Sequence, residues 1–152
     1  MLSGCAQPPV PIIPRAVHNI LIAGGLDPLR IEVANEVRRH LATDVRRTTI
    51  RLIPAGEIDM AAMPEHREAD MPLALADLRE LGKLLRADMI VGLAIEHRDN
   101  DLEVELCVVS PIRAAPRTLL RTRARSASEL GLGLAQAIRA DSAYRRLLGS
   151  EQ

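Results

Sequence analysis

The chain has 152 residues, 47% hydrophobic and 26% charged, with twenty basic side chains balanced by twenty acidic ones. That length and balance describe one globular domain plus a tail, long enough to bury a sizeable core. One Tyr, no Phe and no Trp leave that core to aliphatic residues and exclude a base-stacking platform for single-stranded nucleic acid. The arginines alternate with acids beside a lone lysine, Lys83, so no nucleic-acid footprint is indicated, and no apolar run is long enough to cross a bilayer.

Leu2-Ser3-Gly4-Cys5 resembles a bacterial lipobox, in which small residues precede a cysteine that becomes diacylated and then amino-terminal. The charged and apolar regions of a signal peptide belong upstream of such a motif, so this reading expects a start before Met1. Ala6 to Pro14 follows as a proline-rich spacer that would hold a domain off a membrane. Motif and spacer together favour a lipid anchor at Cys5 over a disordered leader carrying a stray thiol. Residues 1–16 thus read as leader and linker, and 17–150 as the folded domain.

Val17 to Ala23 is a short apolar run closed by Gly24-Gly25, a buried strand. Asp27-Pro28 opens a helix with Asp as N-cap and Pro at its first position. Leu29, Val33, Val37 and Leu41 form its inner stripe, with Arg30, Glu32, Glu36, Arg38 and Arg39 mostly outside. Thr48 to Ile53 reads as a strand stopped by Pro54. Ala55 to Met60 allows a turn of helix, and Met63 to Asp70 reads as a polar loop. Pro72 starts a second helix whose buried stripe is Leu75, Leu78, Leu81 and Leu85, interrupted by Gly82.

Three consecutive strands follow: Asp88 to His97, Asp101 to Val109 and Arg117 to Arg125. In the second, Leu102, Val104, Leu106 and Val108 alternate with Glu103, Glu105, Cys107 and Val109, the period of a strand with one buried face. Asp99 and Asn100 tolerate positive φ and serve as a two-residue turn. That turn pairs Ile95 with Val104, Leu93 with Leu106 and Val91 with Val108. Pairing centred on Arg113 sets Glu105 against Arg121 and Glu103 against Arg123, which reads as a solvated face of matched charges rather than a ligand site. Cys107 reads as a small apolar strand residue rather than half of a disulfide. Ser126 to Glu129 fits a capping box for a last helix that turns Leu130, Leu134, Ala137 and Ile138 inward and frays after Asp141 or runs to Leu148. Gly131 and Gly133 in that helix permit close packing on the sheet. The order β-α-β-α-β-β-β-α predicts an α/β (α+β) fold: a five-stranded mixed sheet with about three helices, most on one face.

Chemistry is sparse. Gly24 to Pro28 sits between strand and helix, where phosphate loops occur, but it lacks the Gly-rich and P-loop patterns and places Asp27 at the helix N-terminus. His66 lies between Glu65 and Glu68 without a second histidine in zinc spacing; His18, His40 and His97 are scattered. Ser110, Ser126 and Ser128 have no nucleophile-elbow context. No catalytic residue, metal ligand or cofactor is expected, and any ligand-binding residue is left unassigned.

From about Val17 to Leu148 the chain resembles the amino-terminal domain of TolB and TolB-like envelope and assembly lipoproteins. The resemblance rests on Ile20 to Leu41 leading into Thr49-Ile50-Arg51-Leu52-Ile53-Pro54, on Leu85-Arg86-Ala87-Asp88-Met89-Ile90-Val91-Gly92, and on the ribbon with its acidic turn, Ile95 to Val104. Gly92 stands where such relatives keep a glycine. Pro111 to Pro116 stand where they often carry a Thr-Gly turn and an aromatic residue, and no β-propeller follows. The resemblance implies a non-catalytic domain of the periplasmic side of the cell envelope, attached to a membrane through Cys5, that docks to other envelope proteins. Docking surfaces are expected at the edge of the first or third ribbon strand, or at the His66 loop. The alternative is a small-molecule-sensing or regulatory domain, which needs a concave apolar pocket near Gly24-Gly25.

Overall fold

Parallel strands and an antiparallel ribbon share one sheet in the computed structural model, which describes residues 17–46, 48–62, 73–110 and 115–149. In chain order the elements are β1 (His18–Ala23), α1 (Pro28–Val45), β2 (Ile50–Leu52), α2 (Ala55–Ala61), α3 (Leu75–Leu84), β3 (Ala87–Arg98), β4 (Asp101–Val109), β5 (Arg117–Ala124), α4 (Ala127–Arg139) and α5 (Ser142–Leu148). The sheet order is β2-β1-β3-β4-β5; β1 runs parallel to β2 and β3, and β3, β4 and β5 are antiparallel. The α/β class and the five-stranded mixed sheet are as expected.

The helices differ in number: five among the described residues, not about three. The stretch after Pro54 completes a separate helix, α2. Asp141 does not mark fraying: its side chain accepts the Ala143 amide at 3.1 Å, ending one helix and capping the next. The capping box at Ser126 is not formed. Glu129 instead accepts the Arg125 amide at 3.1 Å, while the Ser126 and Ser128 hydroxyls bond each other.

Strand order decides which faces are covered. β2 lies on one side of β1 and β3 on the other, so two right-handed crossovers place α1 and the α2–α3 pair on opposite faces. One core joins Ile20, Ile22, Val91, Leu93, Val104 and Leu106 to α1, α4 and α5; a smaller one sets Leu21, Ile90 and Val109 against Ile58, Leu78 and Leu81. Gly82 leaves no hole in α3, because Ile90 fills the space: a Cβ there would overlap the Ile90 side chain. Leu75 is 38% exposed and Leu85 is only partly buried, so the stripe of α3 is narrower than its leucines suggest. Gly131 packs on α1, not on the sheet, where a Cβ would lie 2.9 Å from that of Glu36.

The ribbon register follows the expected alternation. Ile95 faces Val104, Leu93 faces Leu106 and Val91 faces Val108, across a turn in which Asp99 has φ 55°. Glu105 faces Arg121 and Glu103 faces Arg123. Nearer the loop, a bulge between Leu106 and Cys107 shifts the pairing to Thr118 and Arg117. β2 is shorter than expected, since the Thr48 hydroxyl takes turn bonds with Val45 and Ile50.

Candidate docking face

The second face of the sheet is roofed only in part. α3 reaches as far as Gly92, where a Cβ would lie 3.1 Å from Leu78 Cδ1 and from Cys107 Sγ. Beyond that line Ala94 and Glu96 on β3 and Arg121 and Arg123 on β5 are exposed, with Glu103 and Glu105 half-buried between them. Ala94, too small to fill its place, floors a trough of about 370 Å³ walled by Glu96, Glu103, Glu105 and Arg121.

Charge alternates across this trough. Glu103 sits between Arg98, at 3.0 Å, and Arg123, at 3.6 Å; Glu105 takes Arg121 at 3.3 Å and the Thr118 hydroxyl at 3.0 Å. Glu96 stands directly across from Glu103, a like-charge neighbour that the two arginines offset. Such exposed pairs contribute about 0.2–1 kcal/mol each, enough to order side chains but too little to hold the fold.

The trough ends at the outer edge of β5, the last strand of the sheet. Among the described residues no backbone hydrogen bond reaches that edge from another element. Its first residue is tied down: Arg117 turns to the helix face and bonds Asp141, which is 5% exposed at the start of α5. Burial alone would raise the Asp141 carboxyl, but Arg117 and the Tyr144 and Ala143 amides outweigh it and hold its pKa below the ordinary value.

Of the other expected surfaces, the edge of β3 is taken. β1 pairs along it to Gly92; a Cβ on Gly24 would then overlap the Leu93 carbonyl oxygen, and Arg30 Nη2 donates to the Ile95 carbonyl at 2.8 Å. The His66 loop and Cys5 lie outside the described residues.

The loop after β1 occupies the switch point of the 2-1-3 strand order, where doubly wound sheets hold ligands. Here β3 continues past β1 and blocks the crevice. Asp27 caps α1 through the Arg30 amide and pairs with the Arg30 guanidinium at 2.8 Å; these contacts outweigh its burial and lower its pKa. Arg38 donates to the Ile22 carbonyl at 2.7 Å and to Asn35 at 2.9 Å, and burial lowers its pKa to about 10. The hollow left beside Gly25, Leu26, Ala55 and Asp59 measures about 20 Å³, room for one water. Helical periodicity puts Arg30 and Arg38 mostly outside, but both are half-buried, because they bond carbonyls on other elements, invisible to a pattern of 3.6.

The histidines do not converge. His18 lies 3.7 Å from Asp88 at the start of β1, His40 is on α1 against Gly131, and His97 is next to last in β3. Among the described residues no group of three His, Cys, Asp or Glu side chains is placed to hold a metal ion. Cys107 is a free, half-buried thiol whose pKa is raised by burial and by Glu105.

No protein-family model matches the chain, and no curated protein sequence matches it. Solved structures similar to it include two of bacterial proteins. Protein VC0702 from Vibrio cholerae is 17% identical over 90% of this chain and 79% of its own, with a TM-score of 0.35. The hypothetical protein CT253 from Chlamydia trachomatis is 16% identical over 89% of this chain and 93% of its own, with a TM-score of 0.32.

Proposed function

We propose that this chain is a non-catalytic, TolB-like cell-envelope lipoprotein domain that acts as a protein-interaction and assembly module. It is anchored through Cys5 on the periplasmic side and docks partner proteins along the open half of its sheet. The lipobox-like Leu2 to Cys5, the proline spacer and the family resemblance support the anchor and the setting. The docking role rests on one observation, the outer edge of β5 left uncovered among the described residues, beside a sheet face roofed only in part. A free edge offers a row of backbone donors and acceptors, and an extended segment satisfies them by adding a strand. The small-molecule-sensing alternative needs an apolar pocket beside Gly24-Gly25, and a hollow for one water counts against it.

The test is a photo-crosslinking residue at Thr118, on the β5 edge, compared with one at Glu32, exposed on α1, in cells expressing the protein with its natural upstream sequence. The expected result is an adduct to an envelope protein from Thr118 alone, with Cys5 diacylated by mass spectrometry. Adducts only from Glu32 would end the docking reading, and an unmodified Cys5 in a cytosolic pool would end the anchor.

A further inference from the structure

The outermost strand carries charge of one sign in a chain whose formal net charge is zero. From Arg117 to Ala124 it reads Arg-Thr-Leu-Leu-Arg-Thr-Arg-Ala, three guanidiniums and no acid, and Arg125 follows directly. Arg117 is spent on Asp141. Arg121 and Arg123 stand on the open face with side chains 75% and 51% exposed, touching Glu105 and Glu103 of the neighbouring strand. A guanidinium carries five N–H donors, so one carboxylate each leaves donors to spare. The acids lie one strand inward, and the rim of the sheet is cationic.

We propose that the outer edge of β5 takes an extended acidic segment of another protein as an added strand, with carboxylates at alternate positions beside Arg121 and Arg123. The proposal rests on the docking reading above and adds the chemistry of the partner. Alternation is required because every second side chain of an added strand falls on the open face. The intervening positions lie beside Leu120, Thr122 and Ala124, which suit small or aliphatic neighbours. A second copy of this chain fits worse: antiparallel β5–β5 pairing centred on Arg121, Thr122 or Arg123 sets arginine opposite arginine, which disfavours the pair. A phosphate backbone also fits worse, because it accepts hydrogen bonds but offers no N–H row to the carbonyls of a strand edge.

The experiment is fluorescence anisotropy of the full chain with labelled peptides: an alternating Glu-Val strand, a Thr-Val strand, a Lys-Val strand, and the Glu-Val strand with alternate backbone nitrogens methylated. Two cross-strand ion pairs predict about tenfold tighter binding of Glu-Val than of Thr-Val, lost in the Arg121→Gln/Arg123→Gln double variant. The Lys-Val and methylated peptides are expected not to bind. Equal affinity for Glu-Val and Thr-Val would overturn the acidic preference while leaving edge docking in place. Undiminished binding of the methylated peptide, or no binding of any peptide, would overturn both. An oligonucleotide that binds and displaces Glu-Val, or self-association of the chain that the double variant abolishes, would assign the rim to nucleic acid or to a second copy and overturn the proposal. The peptide comparisons use the unaltered chain, so they decide the matter even if the double variant does not fold.

Discussion

Tyr144 is the chain's one aromatic residue, fully buried where α5 meets α1 and α4. Its hydroxyl donates to Asp44 at 3.2 Å; Arg139 Nε holds the same carboxylate oxygen at 2.6 Å while Nη2 donates to the His40 carbonyl at 2.5 Å. Tyr144→Phe removes one long hydrogen bond and leaves Asp44 paired, so the expected loss is about 1 kcal/mol. Tyr144→Ala empties the site of a whole ring, with an expected loss of about 3–5 kcal/mol. For a domain of this size each kcal/mol lowers Tm by about 2–4 °C. Urea unfolding followed by far-UV circular dichroism measures both variants at unchanged m. The phenol supplies a second readout, since burial and then the Asp44 carboxylate raise its pKa well above the usual value. The contribution of this group is full below the unfolded-state pKa, about 10, and is lost as pH rises through the folded value. Wild type therefore loses more stability above pH 10 than Tyr144→Phe, and tyrosinate absorbance at 295 nm stays absent at pH 10 until the chain unfolds. A Phe variant as unstable as the Ala variant, or a folded-state titration near 10, would refute the reasoning.

Other expectations follow from single contacts. Asp27 and Asp141 have lowered pKa values, so their stabilisation is present above the unfolded-state value near 4 and fades as pH falls through the folded value; Asp141→Asn should flatten the acid limb of a stability-against-pH curve and cost about 1–2 kcal/mol at neutral pH through the weakened α5 cap and Arg117 tie. Gly24→Ala pushes a methyl into the Leu93 carbonyl and should lose more than about 2 kcal/mol by urea denaturation, while Gly133→Ala, in open space within α4, should gain about 0.5–1 kcal/mol. Arg86, exposed after α3 with φ 54°, occupies a position that favours glycine; Arg86→Gly should raise stability by up to about 1 kcal/mol, and a lower Tm would count against the strain.

Several of these contacts lie beyond what a one-dimensional pattern expresses. The β3–β4 register is legible because alternation and a two-residue turn act between neighbours in the chain, and only one slip-free pairing keeps Val91, Leu93 and Ile95 opposite Val108, Leu106 and Val104. The β4–β5 pairing is legible far from its loop, at Glu103 and Glu105, and fails beside it, where the bulge inserts a residue that no alternation predicts. Asp141 looks like a fraying point in sequence because a cap and a stop share the same residue type; its bond to Arg117, twenty-four residues away, is a tertiary fact. The single Tyr excludes a stacking platform by its number, whereas its place at a three-helix junction has no local signal.

What the sequence by itself determined is the set of pieces: a lone strand, a capped helix, a leucine-rich helix and an acidic-turned ribbon, all dictated by short-range periodicity and turn chemistry. What only the tertiary structure decided is their adjacency: that β1 closes the edge of β3, that Arg30 and Arg38 turn inward to carbonyls, and that β5 is left with the open, arginine-lined rim. The physical reason is that hydrophobic alternation marks a face to be buried but carries no record of which neighbour buries it. Sheet order emerges only when crossover handedness and long-range packing choose among the available edges.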